Sequence, residues 1–321
     1  MNYEVSVYGG AGFVGHDLAK SLIESDVRVT VVDNLSTKPA SGSVFTAEVP
    51  YTFVKGDVRT PPGDIEWERM FGHLAEGTHT IVWLPAVQGY TRTIDKFGSN
   101  NVYPIFNLFE AIRYYKAEAR IRRIVLASSQ AVYGPGRDLV EGVSATSPIS
   151  VYGVSKLAQE HVMCNLAKLN GITVYSMRYS VILGAGQSCD SLESGVMRNW
   201  TRSFKDGKGP EVYGDGLQVR DFVHISDVTY ANIKAIESDD FRNDIFNVGG
   251  FTCSVIDLAY IFQEASGSKD PEVLGNCPRE DGGALDFTSS YKHAYKKLGY
   301  EPTRNLGIQV SEAFEHFNKN V

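Results

Sequence analysis

Short apolar runs alternate with amphipathic helical patterns through about the first 180 residues of the chain. The runs are rich in β-branched residues, whereas Val14, Leu18 and Leu22 recur with the spacing of one helical face. Strands are predicted at 5–8, 27–32, 51–54, 80–84, 124–127 and 173–177. Helices are predicted near 98–118, 150–169, 227–238, 254–266 and 306–319. This alternation predicts an α/β fold, a doubly wound parallel sheet with helices on both faces.

Beyond about residue 180 the pattern is looser. Residues 184–216 are rich in glycine, serine and charged side chains, as in loops that enclose a ligand. We therefore predict a nucleotide-binding domain at 1–178 and a smaller C-terminal mixed α/β substrate domain at 179–321. Segments near 219–250 are expected to return to the first domain.

The composition is that of a folded protein and excludes several other classes. Of the 321 residues, 43% are hydrophobic and 11% aromatic, which excludes a disordered chain. The formal net charge of −7 argues against a nucleic acid or an anionic membrane as partner. Dispersed cysteines without a CxxC pair predict reduced thiols and no metal site. Because no signal peptide or long apolar stretch is visible, a cytoplasmic location is expected.

A glycine-rich turn follows the first predicted strand. Gly9, Gly12 and Gly15 have the spacing that permits a tight turn, a close approach to a pyrophosphate and close packing of the following helix. That helix would offer its N-terminal N–H groups to phosphate. Asp33 ends the next strand, where it would accept hydrogen bonds from ribose hydroxyls and repel a 2′-phosphate. The turn and the acid together predict NAD rather than NADP.

Two further patterns predict proton transfer beside a nicotinamide. Tyr152 and Lys156 lie four residues apart on one face of a predicted helix. A phenol is a weak base at neutral pH, but a nearby ammonium and a nicotinamide cation both favour the phenolate. Ser128 and Ser129 end a strand at the carboxyl edge of the sheet, where open α/β sheets bind ligands.

The order and spacing of these motifs resemble the extended short-chain dehydrogenase/reductase family, in its nucleotide-sugar epimerase/dehydratase branch. The resemblance covers the chain from end to end, at residues 9–15, 33–36, 56–58, 128–134, 152–156, 178–179, 213–216, 220–223, 246–250 and 298–302. It implies a Rossmann fold, bound NAD and a nucleotide-diphosphate sugar as substrate. It also implies a homodimer that pairs the helices near 98–118 and 150–169.

The resemblance assigns roles to individual residues. Tyr152 would be the general acid/base, Lys156 would hold the nicotinamide ribose, and Ser129 would bond the reacting sugar hydroxyl. Arg220 and Arg279 would contact the diphosphate, although Arg220 could instead form a salt bridge with a neighbouring aspartate, Asp221 or Asp227. Asp57 would cap the adenine edge or serve only as a turn residue. Other expected cofactor contacts are Phe13, Val14, Asn34, Val58, Leu84 and Ala86. Other expected substrate contacts are Gln88, Arg92, Thr93, Gln130 and Val196.

Departures from the family pattern select among its reactions. Gln130 and Ala131 stand where the dehydratases carry an Asp-Glu pair, and neither side chain can transfer a proton. Reductases of the branch mostly use NADPH, which Asp33 disfavours. By elimination we expect an NAD-dependent 4-epimerase. A dehydratase or reductase of the same family, or a non-catalytic NAD-binding sensor, remains an alternative.

Two more departures concern the substrate. Val181 stands where the family has an asparagine that touches the substrate phosphate, and Pro85 lacks a backbone donor beside the cofactor. Either the substrate lies differently in this site, or it is not the common hexose nucleotide.

Overall fold

The computed structural model describes residues 4–36, 51–88, 94–188, 195–275 and 285–320. In chain order the strands are β1 (Glu4–Tyr8), β2 (Arg28–Asp33), β3 (Tyr51–Lys55), β4 (Thr78–Trp83), β5 (Arg123–Ser129), β6 (Gly136–Leu139), β7 (Thr173–Tyr179), β8 (Val181–Leu183), β9 (Glu211–Val212), β10 (Val219–His224), β11 (Asp244–Val248), β12 (Phe251–Ser254), β13 (Glu272–Val273) and β14 (Phe287–Ser289). The helices are α1 (Phe13–Glu24), α2 (Ile65–Phe71), α3 (Ile94–Phe97), α4 (Tyr103–Tyr114), α5 (Val151–Leu169), α6 (Gly195–Lys205), α7 (Ile225–Glu237), α8 (Val255–Ser266), α9 (Lys292–Leu298) and α10 (Leu306–Asn320).

The central sheet has seven strands in the order β11-β7-β5-β4-β1-β2-β3, and every neighbouring pair is parallel. The strand order reverses at β1, which lies between β2 and β4. Such a switch point opens a crevice at the carboxyl ends of the strands. The predicted doubly wound parallel sheet is therefore confirmed.

A smaller mixed sheet follows the order β12-β10-β14-β6, with β8 also paired to β10. Only its β10–β12 pair is antiparallel among the described pairings. β6 precedes residue 178 but joins this sheet, whereas β11 follows residue 178 but joins the central one. Strands from each side of residue 178 thus join the sheet of the other side, and the domain boundary at 178/179 stays a prediction.

Side chains alternate across the central sheet, as the two-residue period of a strand requires. Val5 and Val7 of β1 pack with Leu18 and Leu22 of α1 on one face. Tyr8 packs into a second cluster on the opposite face, with side chains of α2 and α4. A third core lies in the C-terminal part of the chain and contains Trp200, Phe262 and Phe314. The first core also contains Val223 of β10 and so joins the central sheet to the smaller one.

The predicted helix near 98–118 is divided. A π-helical turn, Gly98–Val102, precedes α4, and α4 ends at Tyr114. Lys116 adopts a φ of +48°, which does not continue a right-handed helix. The π turn places Asn101 inward, where its side chain reaches the loop after β4.

Candidate active site

The glycine turn joins β1 to α1 at the carboxyl edge of the central sheet. Gly9 adopts a φ of +74°, which favours glycine. A Cβ on Gly15 would lie 2.6 Å from the Cα of Gly10, so glycine is needed for α1 to pack this closely. α1 begins at Phe13 with Gly12 as its N-cap, without a side-chain cap and without an acidic residue in its first turn. The first N–H groups of α1 therefore suit an anion such as a pyrophosphate.

Asp33, the last residue of β2, fixes this turn. Its Oδ2 accepts a hydrogen bond from the Ala11 amide at 3.0 Å, and its Oδ1 accepts one from the Leu35 amide at 2.7 Å. Burial raises the pKa of the Asp33 carboxyl, and the two amide hydrogen bonds offset part of that rise. The carboxylate thus lies beside the glycine turn, where the ribose of a dinucleotide would be held.

Asp57 lies after β3 and is bonded to two side chains. It accepts a hydrogen bond from Asn34 Nδ2 at 3.0 Å and a two-pronged contact from Arg59, with Nε–Oδ1 at 2.9 Å. The Arg59 hydrogen bond is the main reason that the pKa of Asp57 falls to about 2. Asp57 Oδ1 also accepts from the Arg59 amide at 3.0 Å. Asp57 is therefore a turn residue and also borders the cofactor end of the cavity.

One cavity of about 1450 Å³ runs along the strand ends from the glycine turn toward the smaller sheet. It brings together the residues predicted to contact the cofactor: Gly9, Gly12, Phe13, Val14, Gly15, Asp33, Asn34, Asp57, Val58, Leu84, Ala86, Tyr152 and Lys156. The predicted substrate residues Gln88, Ser129, Gln130, Val196 and Arg220 line it as well. Arg92, Thr93 and Arg279 lie outside the described residues.

Ser129, Tyr152 and Lys156 meet where β5 approaches the first turns of α5. Lys156 Nζ donates to the Ala127 carbonyl at 2.9 Å and lies 5.9 Å from the centre of the Tyr152 ring. Complete burial lowers the pKa of Lys156 to about 7, and the nearby Glu160 carboxylate opposes that change. Tyr152 is half-buried and faces the cavity. A phenol beside a buried ammonium is suited to exchanging a proton with a bound hydroxyl.

The residues around Ser150 determine where α5 begins. Ser150 is the N-cap, and its Oγ accepts a hydrogen bond from the Gly153 amide at 3.0 Å. A Cβ on Gly153 would lie 2.5 Å from the Ala131 carbonyl oxygen, so glycine allows the helix to approach the segment after β5. Ser129 Oγ accepts a hydrogen bond from the Ala131 amide at 3.2 Å at the start of that segment.

Asn101 and Gln159 support the loop that lines this site, and neither residue was predicted from the sequence. Asn101 bonds both backbone groups of Val87, with the Val87 amide 2.7 Å from its Oδ1, and it donates to Ser155 Oγ at 2.9 Å. Gln159 Nε2 donates to the Asn101 carbonyl at 2.6 Å and the Pro85 carbonyl at 3.4 Å. Both side chains are fully buried, so they anchor the loop after β4 to α5. The sequence feature that could have identified these two residues is an amide side chain at a position predicted to face the core.

At the substrate end, Gln130 is buried with its Oε1 3.3 Å from Ser180 Oγ, which donates its hydrogen bond to Asp221 Oδ2 at 2.7 Å. The Arg220 guanidinium lies 5.2 Å from the centre of the Phe287 ring and donates to the Leu285 carbonyl. Asp221 is bonded to serine hydroxyls and a backbone amide, and Asp227 to the segment after α9. Among the described residues, neither Asp221 nor Asp227 forms a salt bridge with Arg220, and the diphosphate role of this arginine stays a prediction.

No group of three or more His, Cys, Asp or Glu side chains that could hold a metal ion occurs in the described ranges. Among the same residues, no helix is long and apolar enough to cross a membrane.

Comparisons with known proteins place the chain among nucleotide-sugar epimerases. The model of the NAD dependent epimerase/dehydratase family matches residues 5–249. A putative UDP-glucose 4-epimerase of Methanocaldococcus jannaschii is 32% identical over 98% of this chain and 99% of its own. A UDP-glucose 4-epimerase structure from Thermotoga maritima, solved with UDP-glucose, has a TM-score of 0.82 and 27% identity, covering 98% and 99% of the two chains. A UDP-glucuronic acid 4-epimerase from Bacillus cereus, solved with NAD, shares the fold with a TM-score of 0.84 at 22% identity, with the same coverage.

Proposed function

Because the chain belongs to the NAD dependent epimerase/dehydratase family, we propose that it interconverts two UDP-hexoses that differ only at C4. The family, the NAD cofactor and nucleotide-sugar 4-epimerase activity were predicted from the sequence and are confirmed by the relatives. The main observation that supports this proposal is that one cavity is lined by Ser129, Tyr152 and Lys156 together with the glycine turn. Uridine is proposed because two similar relatives are a putative UDP-glucose 4-epimerase and a UDP-glucose 4-epimerase.

NAD fits the first part of the cavity. The uncapped first turn of α1 offers N–H groups to the pyrophosphate, and Asp33 lies where ribose hydroxyls would donate to it. A 2′-phosphate would meet Asp33 and Asp57, and the Arg59 guanidinium is already paired with Asp57. Bound NAD supplies the group that accepts a hydride from C4 and returns it.

Side chains of this protein transfer the proton of the sugar hydroxyl. Tyr152 takes the proton of the sugar 4-hydroxyl and later returns it to the same oxygen. The Lys156 ammonium stabilises the phenolate and holds the nicotinamide ribose. Ser129 donates a hydrogen bond to the reacting oxygen and orients it. Loss of a proton and a hydride leaves a 4-keto sugar, and rotation of that sugar allows the hydride to return to its other face.

The rest of the cavity holds the substrate. Arg220 and, outside the described residues, Arg279 are proposed to contact the diphosphate, since a guanidinium fork suits phosphate oxygens. Gln88, Gln130 and Val196 line the cavity where the sugar and nucleotide would lie, and Arg92 and Thr93 are proposed to add contacts. Val181 also lines the cavity but offers no side-chain donor, so the phosphates depend on other groups.

The assembly is proposed to be a homodimer in the cytoplasm. α4 and α5 expose large apolar side chains to solvent, among them Tyr103, Phe106 and Val154. An exposed apolar face on two adjacent helices suits burial against the same face of a second copy.

The deciding experiment is proton NMR of the purified protein incubated separately with UDP-glucose, UDP-galactose, UDP-glucuronate and dTDP-glucose. We expect the C4 epimer of a UDP-sugar to appear and to reach the same ratio from either side. The Tyr152→Phe variant serves as the matched control and should leave the spectra unchanged.

Other results of this experiment would favour the alternatives. A growing methyl signal, as in a 6-deoxy-4-keto sugar, would indicate a dehydratase despite Gln130 and Ala131. The absence of any change in every tube, with NAD bound, would indicate a non-catalytic NAD-binding protein.

A further inference from the structure

A buried ion pair lies directly behind the catalytic groups. Glu160 is one helical turn beyond Lys156 on α5, and Arg178 is on β7, the neighbour of β5. The Arg178 guanidinium donates two hydrogen bonds to the Glu160 carboxylate, from Nη2 to Oε2 at 2.7 Å and from Nε to Oε1 at 2.8 Å. The two side chains are only 4% and 6% exposed. The proposed proton transfer at Tyr152 does not itself use this pair.

The pair is bonded to the strand end that carries Ser129. Ser128 Oγ donates to Glu160 Oε1 at 2.5 Å. The residue before it, Ala127, accepts a hydrogen bond from Lys156 Nζ through its carbonyl oxygen. Two consecutive residues of β5 are therefore tied to two side chains one turn apart on α5, and Ser129 is the next residue of that strand.

Fold stability alone does not explain why an ion pair is buried here. Removing two ions from water costs several kcal/mol for each ion, and apolar residues of similar volume often stabilise a fold as well or better. Here the arginine is also packed over an aromatic ring, with its Cζ 4.6 Å from the centre of the Tyr133 ring. Glu160 is moreover the charged group whose field counteracts the desolvation of Lys156.

We propose that Glu160, held by Arg178, is a positioning residue of the catalytic site: its carboxylate favours the ammonium form of Lys156 and fixes the Ser129 strand end against α5. This inference rests on the proposed function, because it gives the pair a part in proton transfer at Tyr152.

Other titratable groups lie around Lys156 and the ion pair, and most are uncharged at neutral pH. They are Tyr152 and Cys164 on α5, Tyr179 on β7, Tyr133 before β6 and Glu141 after it. Burial raises the pKa of Cys164, Tyr133 and Tyr179, which keeps the thiol and both phenols protonated. Burial also raises the pKa of Glu141, whose Oε1 accepts from the backbone of β11. Glu160 and Arg178 are thus the charges to test.

The pH dependence of kcat/KM separates an electrostatic role from a purely structural one. Lys156 Nζ lies 5.9 Å from the centre of the Tyr152 ring, so both limbs of the pH profile are expected to respond to the net charge beside these two groups. Glu160→Gln removes an anion and leaves Arg178, so both limbs should move to lower pH by about one unit. Arg178→Met removes the cation and leaves Glu160, so both limbs should move to higher pH. kcat should fall at least about tenfold in each variant.

The double variant Glu160→Gln/Arg178→Met restores charge balance and should return both limbs toward their wild-type positions. Glu24→Gln is the matched control, because Glu24 forms an exposed pair with Lys20 at 3.9 Å and should change neither the limbs nor kcat. A loss of rate with both limbs in place, or shifts of the same sign in both single variants, would overturn the electrostatic role.

Ser128→Ala tests the positioning role without a change of charge, and it serves if the single variants lose NAD or their fold. We expect kcat to fall about three- to tenfold with the limbs in place, since one hydrogen bond is worth about 1 kcal/mol. Ser6→Ala is its control, because Ser6 is a buried serine of β1 bonded to Thr78 at 2.8 Å. An unchanged kcat in Ser128→Ala would refute the positioning role. A wild-type protein that epimerises no sugar would refute the proposed function instead.

Discussion

The cofactor end and the catalytic end of the cavity are built from contacts of different range. At the cofactor end, Asp33 bonds Ala11 across 22 residues, within one β-α-β unit. At the catalytic end, Ser128 bonds Glu160 across 32 residues, and Tyr133 bonds Asn247 across 114. The glycine turn and Asp33 therefore need only one local unit, whereas the contacts around Ser128 and Tyr133 join strands and helices that are far apart in the chain. Substitutions at the two ends should thus have separable effects.

Tyr152→Phe should have the largest effect and should act only at the catalytic end. The phenol is the proton donor and acceptor in the proposed reaction, so its loss should lower kcat by about 10²- to 10⁴-fold. NAD affinity should change little, because the glycine turn and Asp33 are untouched. Steady-state rates with UDP-galactose and an NAD titration measure the two quantities. Near-full activity would remove Tyr152 from the mechanism.

Gly15→Ala should break the cofactor end instead. The new Cβ would collide with the backbone of Gly9 and Gly10, and such overpacking costs about 1–3 kcal/mol. We expect NAD to bind about 10- to 100-fold more weakly, measured by calorimetry on protein stripped of cofactor. Gly77→Ala is the matched control, since its Cβ would meet nothing closer than Glu4 Oε2 at 3.7 Å. Equal NAD affinity in Gly15→Ala and wild type would contradict the packing role.

Lys156→Met tests the catalytic end through the pH dependence of the free energy of unfolding. The pKa of Lys156 falls from the ordinary 10.5 to about 7 on burial, so between these values the unfolded chain binds more protons than the folded one. The cost of burying the ammonium is therefore greatest below pH 7 and falls as the pH rises toward 10.5. The variant should melt several degrees above wild type at pH 6, and this gain should shrink toward pH 10.

Thermal unfolding of the NAD-free proteins across this pH range measures the effect. Lys20→Met, a substitution of an exposed lysine, provides the baseline. A melting difference between Lys156→Met and wild type that stays constant with pH would show that Lys156 carries no such burial cost.

Phe106→Glu should have the smallest effect on either end. Phe106 is 44% exposed on α4, and a charge there would oppose burial against a second copy. Light scattering should show a dimer for wild type and a monomer for the variant, with kcat changed less than about threefold. Val143→Glu, at an exposed site outside α4 and α5, should remain dimeric. A monomeric wild-type protein would contradict the proposed homodimer.

Most of the fold and the cofactor end could be predicted from the sequence, because they depend on short-range patterns. The spacing of Gly9, Gly12 and Gly15, followed by Asp33 at the end of the next strand, encodes a β-α-β unit that folds with local contacts. The alternation of strands and helices likewise predicted the parallel sheet. The π-helical turn before α4 was not predicted, because Gly98–Val102 contains a single apolar residue and so has no periodic pattern that distinguishes a π turn from an α-helical one.

From the amino-acid sequence, the fold class followed from the alternation of strands and helices, and the cofactor followed from the spacing of the glycines and Asp33. The proton-transfer groups are a prediction from short motifs. The buried polar side chains that support those groups could be identified only from the folded structure. Asn101, Gln159 and the Glu160–Arg178 pair lie on ordinary helical and strand patterns, and nothing in their local sequence names a partner. Their partners come from other strands and helices, and buried polar groups are paired by the packing of the whole chain.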